Sequence, residues 1–166
     1  MTRTVSLLGS FVFLFIAPGT VAGLIPWWIT RWRADPALFP GAPLIGWTLL
    51  AIGGLMLLEC FFRFAWSGRG TPAPVAPTEK LVTTGLYRFV RNPMYVAVLA
   101  LILAQALIFG SVALLIYALA IWIAFSTFVF FYEEPTLGRA YGAQYDEYRK
   151  HVPPWLPRLT PWRGSE

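Results

Sequence analysis

Long apolar runs separated by short polar stretches dominate the hydrophobic pattern of the chain. Residues 5–29 carry no charge, residues 43–66 are apolar except near their end, and residues 94–132 contain no Asp, Glu, Lys or Arg. As one α-helix, the third run would be about 58 Å long, whereas the hydrocarbon layer of a bilayer is roughly 30 Å thick. This run therefore has to fold back, and Gly110-Ser111 is its natural turn. The pattern predicts transmembrane helices over residues 5–29, 43–66, 94–109 and 112–132.

Composition supports the same fold class. Hydrophobic residues make up 57% of the 166-residue chain and charged residues only 13%, whereas soluble domains average roughly 45–50% and about 25%. No run shows the alternation of a membrane β-barrel. We therefore expect an all-α integral membrane protein in which residues 1–166 form one domain with four transmembrane helices, the third and fourth forming a helical hairpin.

The charge distribution predicts the orientation of the helices. The formal net charge is +5, but the basic residues are scattered between apolar segments and form no solvated stripe, so nucleic acid is not an expected partner. If both termini share a side with the second loop, eleven Lys and Arg lie on that side and only Arg31 and Arg33 on the other. The positive-inside rule then places the N- and C-termini in the cytoplasm.

Cysteine and histidine content excludes several kinds of site. Cys60 is the single cysteine and His151 the single histidine. A disulfide framework, a thiolate metal site and a histidine-rich metal site are therefore excluded, and no metal is expected. The apolar neighbours of Cys60 indicate a buried packing residue.

The first polar segment with candidate chemistry precedes the third predicted helix and covers residues 79–95. Pro93 suits the first turn of that helix, where its missing N–H costs nothing. Arg88 and Arg91 lie next to this helix N-terminus, which attracts anionic groups. The alternative interpretation is that both arginines only anchor the chain at the cytoplasmic membrane surface.

The second polar segment, residues 133–157, begins where the fourth predicted helix ends. Glu133 and Glu134 lie side by side there, where basic residues are usual and where the helix dipole disfavours negative charge. Compensation by Arg88, Arg91 or a bound cation is one interpretation, and a solvated acidic pair is the other.

A C-terminal amphipathic helix is predicted after Pro135. Its apolar positions recur at helical spacing, and we expect it to lie flat at the membrane interface with tyrosines at headgroup depth. The proline-rich residues 152–157 end this helix and are expected to fold back, as an anchor or as a lid over a site between the two polar segments. The positions of the stripe are Leu137, Tyr141, Tyr145, Tyr148 and Val152.

Glu59 and Arg63 stand four residues apart on the second predicted helix, with the acid first. This order is favourable for a helical ion pair, and a structural role is the expectation there.

Two motifs in one order resemble a known superfamily. T-T-G-L-Y-R-F-V-R-N-P-M-Y at 83–95 is followed by an apolar hairpin and by E-E-P-T-L-G-R-A-Y-G-A-Q-Y-D-E-Y at 133–148. This arrangement resembles the isoprenylcysteine carboxyl methyltransferase and phospholipid methyltransferase superfamily, over about residues 79–157. The pattern there is roughly G-x-Y-x-x-x-R-H-P-x-Y, a hairpin, then E-E-x-x-L-x-x-x-F-G-x-x-Y-x-x-Y.

The resemblance implies a cytoplasm-facing site for S-adenosylmethionine and transfer of its methyl group to a lipid-like or small apolar acceptor that enters from the membrane. Glu133 is then the acidic contact, with Glu134 beside it, and Gly85 and Arg91 shape the first loop. By motif position, the remaining implied cofactor contacts are Lys80, Leu81, Val82, Tyr87, Asn92, Pro93, Met94 and Tyr95.

Two positions depart from the superfamily pattern. Asn92 stands where the pattern has histidine, and Val129 stands where prenylcysteine methyltransferases have an arginine suited to a substrate carboxylate. The second departure disfavours a prenylcysteine carboxylate and leaves an amine or thiol acceptor open. No catalytic residue is identified. The competing hypotheses are an NADPH-dependent membrane reductase related to sterol reductases and a non-catalytic membrane scaffold.

Overall fold

The computed structural model describes residues 16–67 and 81–164, and every regular element in these two ranges is helical. Helix α1 covers residues 16–30 and contains a π-helical turn, Thr20–Leu24, before its α-helical end, Ile25–Thr30. The later elements are α2 (Ala42–Ser67), a 3-10 turn (Gly85–Arg88), α3 (Pro93–Phe109), α4 (Val112–Phe128), a π-helical turn (Val129–Glu133), α5 (Glu134–Tyr141) and α6 (Ala143–His151).

Within residues 16–67 and 81–164, two stretches are long and apolar enough to cross a membrane, Ala42–Arg63 and Val112–Tyr141. Helix α3 is apolar but shorter, with 17 residues. The observed helices begin and end close to the predicted bounds at 43–66 and 94–109, and residues 5–15 of the first predicted helix lie outside the described ranges. An all-helical fold is therefore confirmed, while the four-span topology stays a prediction.

Helices α2 and α3 approach each other closely because glycines of α2 face small residues of α3. A Cβ atom at Gly46 would lie 2.8 Å from the carbonyl oxygen of Ala104, and one at Gly53 would lie 3.2 Å from the Cβ of Ala100. Small residues at such a contact let two helix backbones pack tightly in an apolar bundle. Gly54, by contrast, faces open space.

Gly46→Ala is expected to lower the free energy of unfolding by about 1–3 kcal/mol, because the new methyl group overpacks the α2–α3 contact. Gly54→Ala is the matched control, and its gain in helix propensity is expected to leave stability unchanged or raised by up to about 1 kcal/mol. Thermal unfolding in detergent measures both variants. Equal effects of the two substitutions would contradict this packing of α2 on α3.

The π-helical turn of α1 is the point where this helix is held against the others. The carbonyl oxygen of Ala22 accepts a hydrogen bond from Gln105 Nε2 of α3 at 2.7 Å, and that of Val21 accepts one from the Tyr117 hydroxyl of α4 at 2.9 Å. Two polar side chains within the apolar helices are thereby satisfied, as an apolar environment requires.

The chain turns between α3 and α4 at Gly110 and Ser111. Gly110 has a positive φ of 64° and lies against the carbonyl oxygens of Asp35 and Pro36, where a side chain would clash. Glycine is the residue that adopts this conformation without strain. The loop between α1 and α2 thus closes over the α3–α4 turn, and the Asp35 N–H donates to the Phe109 carbonyl at 2.9 Å.

The predicted end of the fourth helix at residue 132 is wrong. Helix α4 continues through the π-helical turn into α5 and reaches Tyr141. Pro135 occupies the first turn of α5. Because Glu133 and Glu134 therefore lie within a continuing helix, the argument that the helix C-terminus disfavours their charge does not apply.

The predicted C-terminal helix is divided into α5 and α6 at Gly142, whose φ of 53° and ψ of −130° end the first helix. The apolar stripe is confirmed as a packing face, because Tyr145, Tyr148 and Val152 are buried together. The rings of Tyr145 and Tyr148 pack inside the protein and not at its surface. Their expected position at headgroup depth stays a prediction.

Candidate functional site

Glu133 and Glu134 are adjacent in sequence but have different partners. The Tyr95 hydroxyl donates to Glu133 Oε2 at 3.0 Å. Glu134 forms an ion pair with Arg91, Nη1 to Oε1 at 2.8 Å, in which the two side chains are only 9% and 12% exposed. Arg149 is 3.4 Å from the other Glu134 oxygen and is half exposed. The expected compensation of the acidic pair is thus confirmed for Glu134, with Arg91 as its buried partner.

Two aromatic rings lie near Tyr95, the hydrogen-bond partner of Glu133. The Tyr95 ring centroid is 4.6 Å from that of Phe125 in α4 and 6.5 Å from that of Trp155 in the chain after α6. A carboxylate beside aromatic faces suits a cation that carries apolar substituents, because the ring faces and the carboxylate both attract positive charge.

Arg91, in the first predicted polar segment, contacts residues of the second. Its Nη1 also lies 3.4 Å from the Tyr145 hydroxyl, and its Nε is buried without a hydrogen-bond partner among the described residues. Burial raises the pKa of Tyr145, an effect that the Arg91 guanidinium partly opposes. Tyr145 is therefore a neutral phenol at physiological pH. A buried donor without an acceptor, such as the Arg91 Nε, is unusual in a folded protein.

The chain after α6 folds back over the segment before α3, as the sequence predicts. The Arg91 N–H donates to the Pro153 carbonyl at 2.8 Å, and Asn92 Nδ2 donates to the Pro154 carbonyl at 3.1 Å. The Arg158 N–H donates to the Phe89 carbonyl at 2.9 Å. The residue that replaces the superfamily histidine thus holds the proline-rich tail in place.

Tyr87 packs between α2 and α6. Its phenol interacts with the Cys60 thiol, and its carbonyl oxygen accepts a hydrogen bond from the Tyr148 hydroxyl at 2.7 Å. Burial raises the pKa of Tyr87 well above its usual value, so this residue stays neutral. The predicted burial of Cys60 is confirmed, because its side chain has no solvent exposure.

The structure brings together four of the predicted site residues: Arg91, Tyr95, Glu133 and Glu134. The others have different surroundings in the described ranges, and Lys80 lies outside them. Leu81 packs against the buried tyrosines of α6, and Met94 packs against the core of α2 to α4. Gly85 lies against the Arg63 side chain, Pro93 is buried and Val82 is half-buried. Tyr87 and Asn92 have the partners given above.

Four neighbours of this cluster were not among the predicted site residues. Tyr145 belongs to the second motif, so its position in the Y-x-x-Y spacing was a usable signal. Phe125, Arg149 and Trp155 are ordinary residues of an apolar helix, a polar helix and a proline-rich tail, and only the fold places them near Tyr95 and Glu134.

Two further sequence-based expectations concern charge and metal ions. The Glu59–Arg63 ion pair is present one helical turn apart on α2. Within residues 16–67 and 81–164, no cluster of His, Cys, Asp and Glu side chains is arranged to hold a metal ion.

The sequence model of the phospholipid methyltransferase family matches residues 42–144, from the start of α2 to the start of α6. The chain belongs to this family. The matched residues include the Tyr95–Glu133 hydrogen bond and the Arg91–Glu134 ion pair of the candidate site.

Named relatives agree with this membership. The chain is 30% identical over 159 residues to the protein-S-isoprenylcysteine O-methyltransferase of Rattus norvegicus, covering 90% of this chain and 55% of that protein. It is 29% identical over 160 residues to the Homo sapiens protein of the same name, with the same coverage. A shorter match of 80 residues, 37% identical, links it to the Schizosaccharomyces pombe protein, covering 48% of this chain and 34% of that one.

The chain spans about half the length of the curated relatives it matches. Its fold is similar to that of a solved eukaryotic intramembrane Ras methyltransferase, isoprenylcysteine carboxyl methyltransferase, with a TM-score of 0.56 and 20% identity. This likeness covers 97% of the chain and 53% of that structure, and at this identity it concerns the fold alone.

Proposed function

We propose that this protein is an integral membrane methyltransferase that transfers a methyl group from S-adenosylmethionine to a lipid-like or small apolar acceptor. The observation that carries the proposal is the half-buried Tyr95–Glu133 hydrogen bond, with Phe125 and Trp155 near the Tyr95 ring and the Arg91–Glu134 ion pair next in sequence. Both pairs lie within the region that matches the family. Membership of the family supports this class of reaction.

The charges of the site fit the proposed cofactor. S-adenosylmethionine carries a cationic sulfonium and ammonium and an anionic carboxylate. Glu133 and the aromatic rings around Tyr95 suit the cationic groups, and the buried Nε of Arg91 has no acceptor among the described residues, which suits an anionic one. We propose that the cofactor is held by Lys80, Leu81, Val82, Gly85, Tyr87, Arg91, Asn92, Pro93, Met94, Tyr95, Glu133 and Glu134.

In this mechanism the cofactor supplies an activated methyl group, and the chain supplies orientation and exclusion of water. The Tyr95 hydroxyl fixes the Glu133 carboxylate through a hydrogen bond of 3.0 Å. Arg91 is fixed by Glu134 on its side chain and by Pro153 on its backbone. Groups held in this way need little rearrangement when a ligand binds, and holding the acceptor in line with the methyl group accounts for much of the rate.

The proposed membrane topology follows from the charge distribution. We propose four spans, with both termini and the Arg91–Glu134 pair on the cytoplasmic side. The apolar acceptor would then reach the site from the bilayer, where α2 and the π-helical turn after α4 expose large apolar side chains such as Leu58 and Phe130.

The acceptor is proposed to be an amine or a thiol on an apolar chain. Val129 is buried, so the position one turn before Glu133 presents no cation to a substrate carboxylate. The relatives are named for methylation of isoprenylcysteine, which makes a prenylated cysteine carboxylate the direct competitor of this proposal.

Radiolabelled methyl transfer by the full chain in nanodiscs distinguishes these acceptors. We expect phosphatidylethanolamine or a long-chain thiol to be methylated at least 10-fold faster than N-acetyl-S-farnesylcysteine, since Val129 offers no charge to pair with a substrate carboxylate. Protein omitted from the reaction gives the baseline. Faster methylation of the farnesylcysteine would overturn the acceptor assignment and leave the methyltransferase proposal intact.

A further inference from the structure

A cavity of about 540 Å³ lies beside the 3-10 turn before α3. Among the described residues proposed to hold the cofactor, only Gly85 contributes to its lining. The Arg91, Tyr95, Glu133 and Glu134 side chains do not line it. Its lining residues are Arg63, Thr83, Thr84, Gly85, Arg88, Trp162, Arg163 and Gly164.

The lining carries an excess of positive charge. Three guanidinium groups contribute, from the end of α2, the 3-10 turn and the C-terminal tail: those of Arg63, Arg88 and Arg163. Glu59 pairs with Arg63, whereas no carboxylate of the described residues forms an ion pair with Arg88 or Arg163. The cavity therefore has two arginines without acidic partners in the described ranges, next to the hydroxyl groups of Thr83 and Thr84.

The fold holds Arg88 and Arg63 in place. The Trp162 N–H donates to the Arg88 carbonyl at 2.9 Å, and Arg88 Nε donates to the Trp162 carbonyl at 2.7 Å. The Trp162 ring packs against Tyr148 with a centroid distance of 5.4 Å. Gly85, at φ +60°, leaves room for the Arg63 guanidinium over its backbone. Three segments distant in sequence are thus joined around one cationic cavity.

We propose that this cavity binds a phosphate group carried by an anion of headgroup size. Guanidinium groups pair with phosphate through two parallel hydrogen bonds, and threonine hydroxyls donate further ones. Arg63 is the last residue of the apolar stretch Ala42–Arg63, which puts the cavity at the depth where a membrane-crossing helix meets the headgroups. A phospholipid and a soluble phosphate share the chemistry, and this binding does not depend on methyl transfer.

The test measures binding to the full chain by titration with inorganic phosphate in detergent, and by capture of phosphatidylglycerol compared with phosphatidylcholine in mixed-lipid nanodiscs. The double variant Arg88→Gln/Arg163→Gln is expected to bind at least 10-fold more weakly than the wild-type protein. Arg33→Gln/Arg139→Gln, which removes the same charge from two exposed positions outside the cavity, is expected to bind like the wild type.

The outcomes separate the two sources of phosphate. Enrichment of phosphatidylglycerol without binding of inorganic phosphate identifies a lipid headgroup, and binding of inorganic phosphate identifies a soluble ligand. Equal binding by the wild type and the Arg88/Arg163 variant, or binding of neither probe, overturns the proposal. If the double variant does not fold, Arg163→Gln alone, in the exposed tail, is compared with Arg139→Gln under the same criteria.

The cofactor site serves as an independent readout. Glu133→Gln is expected to bind the phosphate probe like the wild type, whatever it does to the binding of S-adenosylhomocysteine. Loss of S-adenosylhomocysteine binding in folded Arg88→Gln/Arg163→Gln protein would instead show that the cavity is part of the cofactor site, and would overturn a separate phosphate site.

Discussion

Glu133→Gln is expected to weaken binding of S-adenosylhomocysteine by about 10- to 100-fold, because a charged hydrogen bond to a buried ligand contributes about 1.5–3 kcal/mol. Glutamine keeps the shape of the side chain and removes the negative charge that the cationic amino group of the ligand requires. It also replaces a carboxylate that accepts from Tyr95 at 3.0 Å. Calorimetric titration of the detergent-purified protein measures the effect.

Glu147→Gln is the matched control for this substitution. Its side chain is 40% exposed on α6 and belongs to surface ion pairs, so its removal is expected to leave ligand binding unchanged. Tyr95→Phe keeps the ring next to Phe125 and removes only the hydroxyl. We expect it to weaken binding of S-adenosylhomocysteine less than Glu133→Gln does. Unchanged binding by Glu133→Gln would contradict the assignment of this carboxylate to the cofactor.

Arg91→Met is expected to lower the free energy of unfolding by about 3–5 kcal/mol, because it leaves the Glu134 carboxylate buried without its principal partner. The two side chains of the pair are 9% and 12% exposed, and the remaining cation, Arg149, is 53% exposed and 3.4 Å away. Screening by water at Arg149 limits how much of the lost interaction it restores. Thermal unfolding in detergent measures the loss.

The double variant Arg91→Met/Glu134→Leu separates an unpaired charge from a general packing defect. Replacing a buried ion pair by apolar groups of similar volume is often neutral, so the double variant is expected to be more stable than Arg91→Met alone. Arg149→Gln is the control for a half-exposed cation and is expected to lower the free energy of unfolding by about 0–1 kcal/mol. A double variant less stable than Arg91→Met alone would contradict the buried pair.

The helices were predictable because their determinants are local. An uncharged run too long for one span has to turn, and Gly110 supplies the positive φ that the turn requires. The Glu59–Arg63 pair and the buried stripe of Tyr145, Tyr148 and Val152 likewise follow from helical spacing within one segment. Such features depend on residues within one continuous segment of the chain.

Other features of the site depend on contacts between distant segments. The sequence indicated that Glu133 and Glu134 need compensation, but the π-helical turn before α5 shifts the register and gives the two carboxylates different partners. The local pattern also predicts separate helices before residue 133 and after Pro135, whereas the helix continues through the π-helical turn that directly precedes the proline.

The role of Arg88 shows the same limit. The sequence groups it with Arg91 at the N-terminus of α3, yet its Nε is bound to the carbonyl oxygen of Trp162, 74 positions away. The pairing of a tail residue with this arginine depends on the path of the whole chain, and no periodicity in either segment indicates it.

Titration of S-adenosylhomocysteine into the wild-type protein, with NADPH titrated in parallel, tests the central claim most directly. The proposed methyltransferase is expected to bind S-adenosylhomocysteine with micromolar affinity and to show no binding of NADPH. Binding of NADPH alone would indicate a membrane reductase. Absence of binding by either ligand in folded protein would contradict the cofactor site and indicate a family member that has kept only the fold.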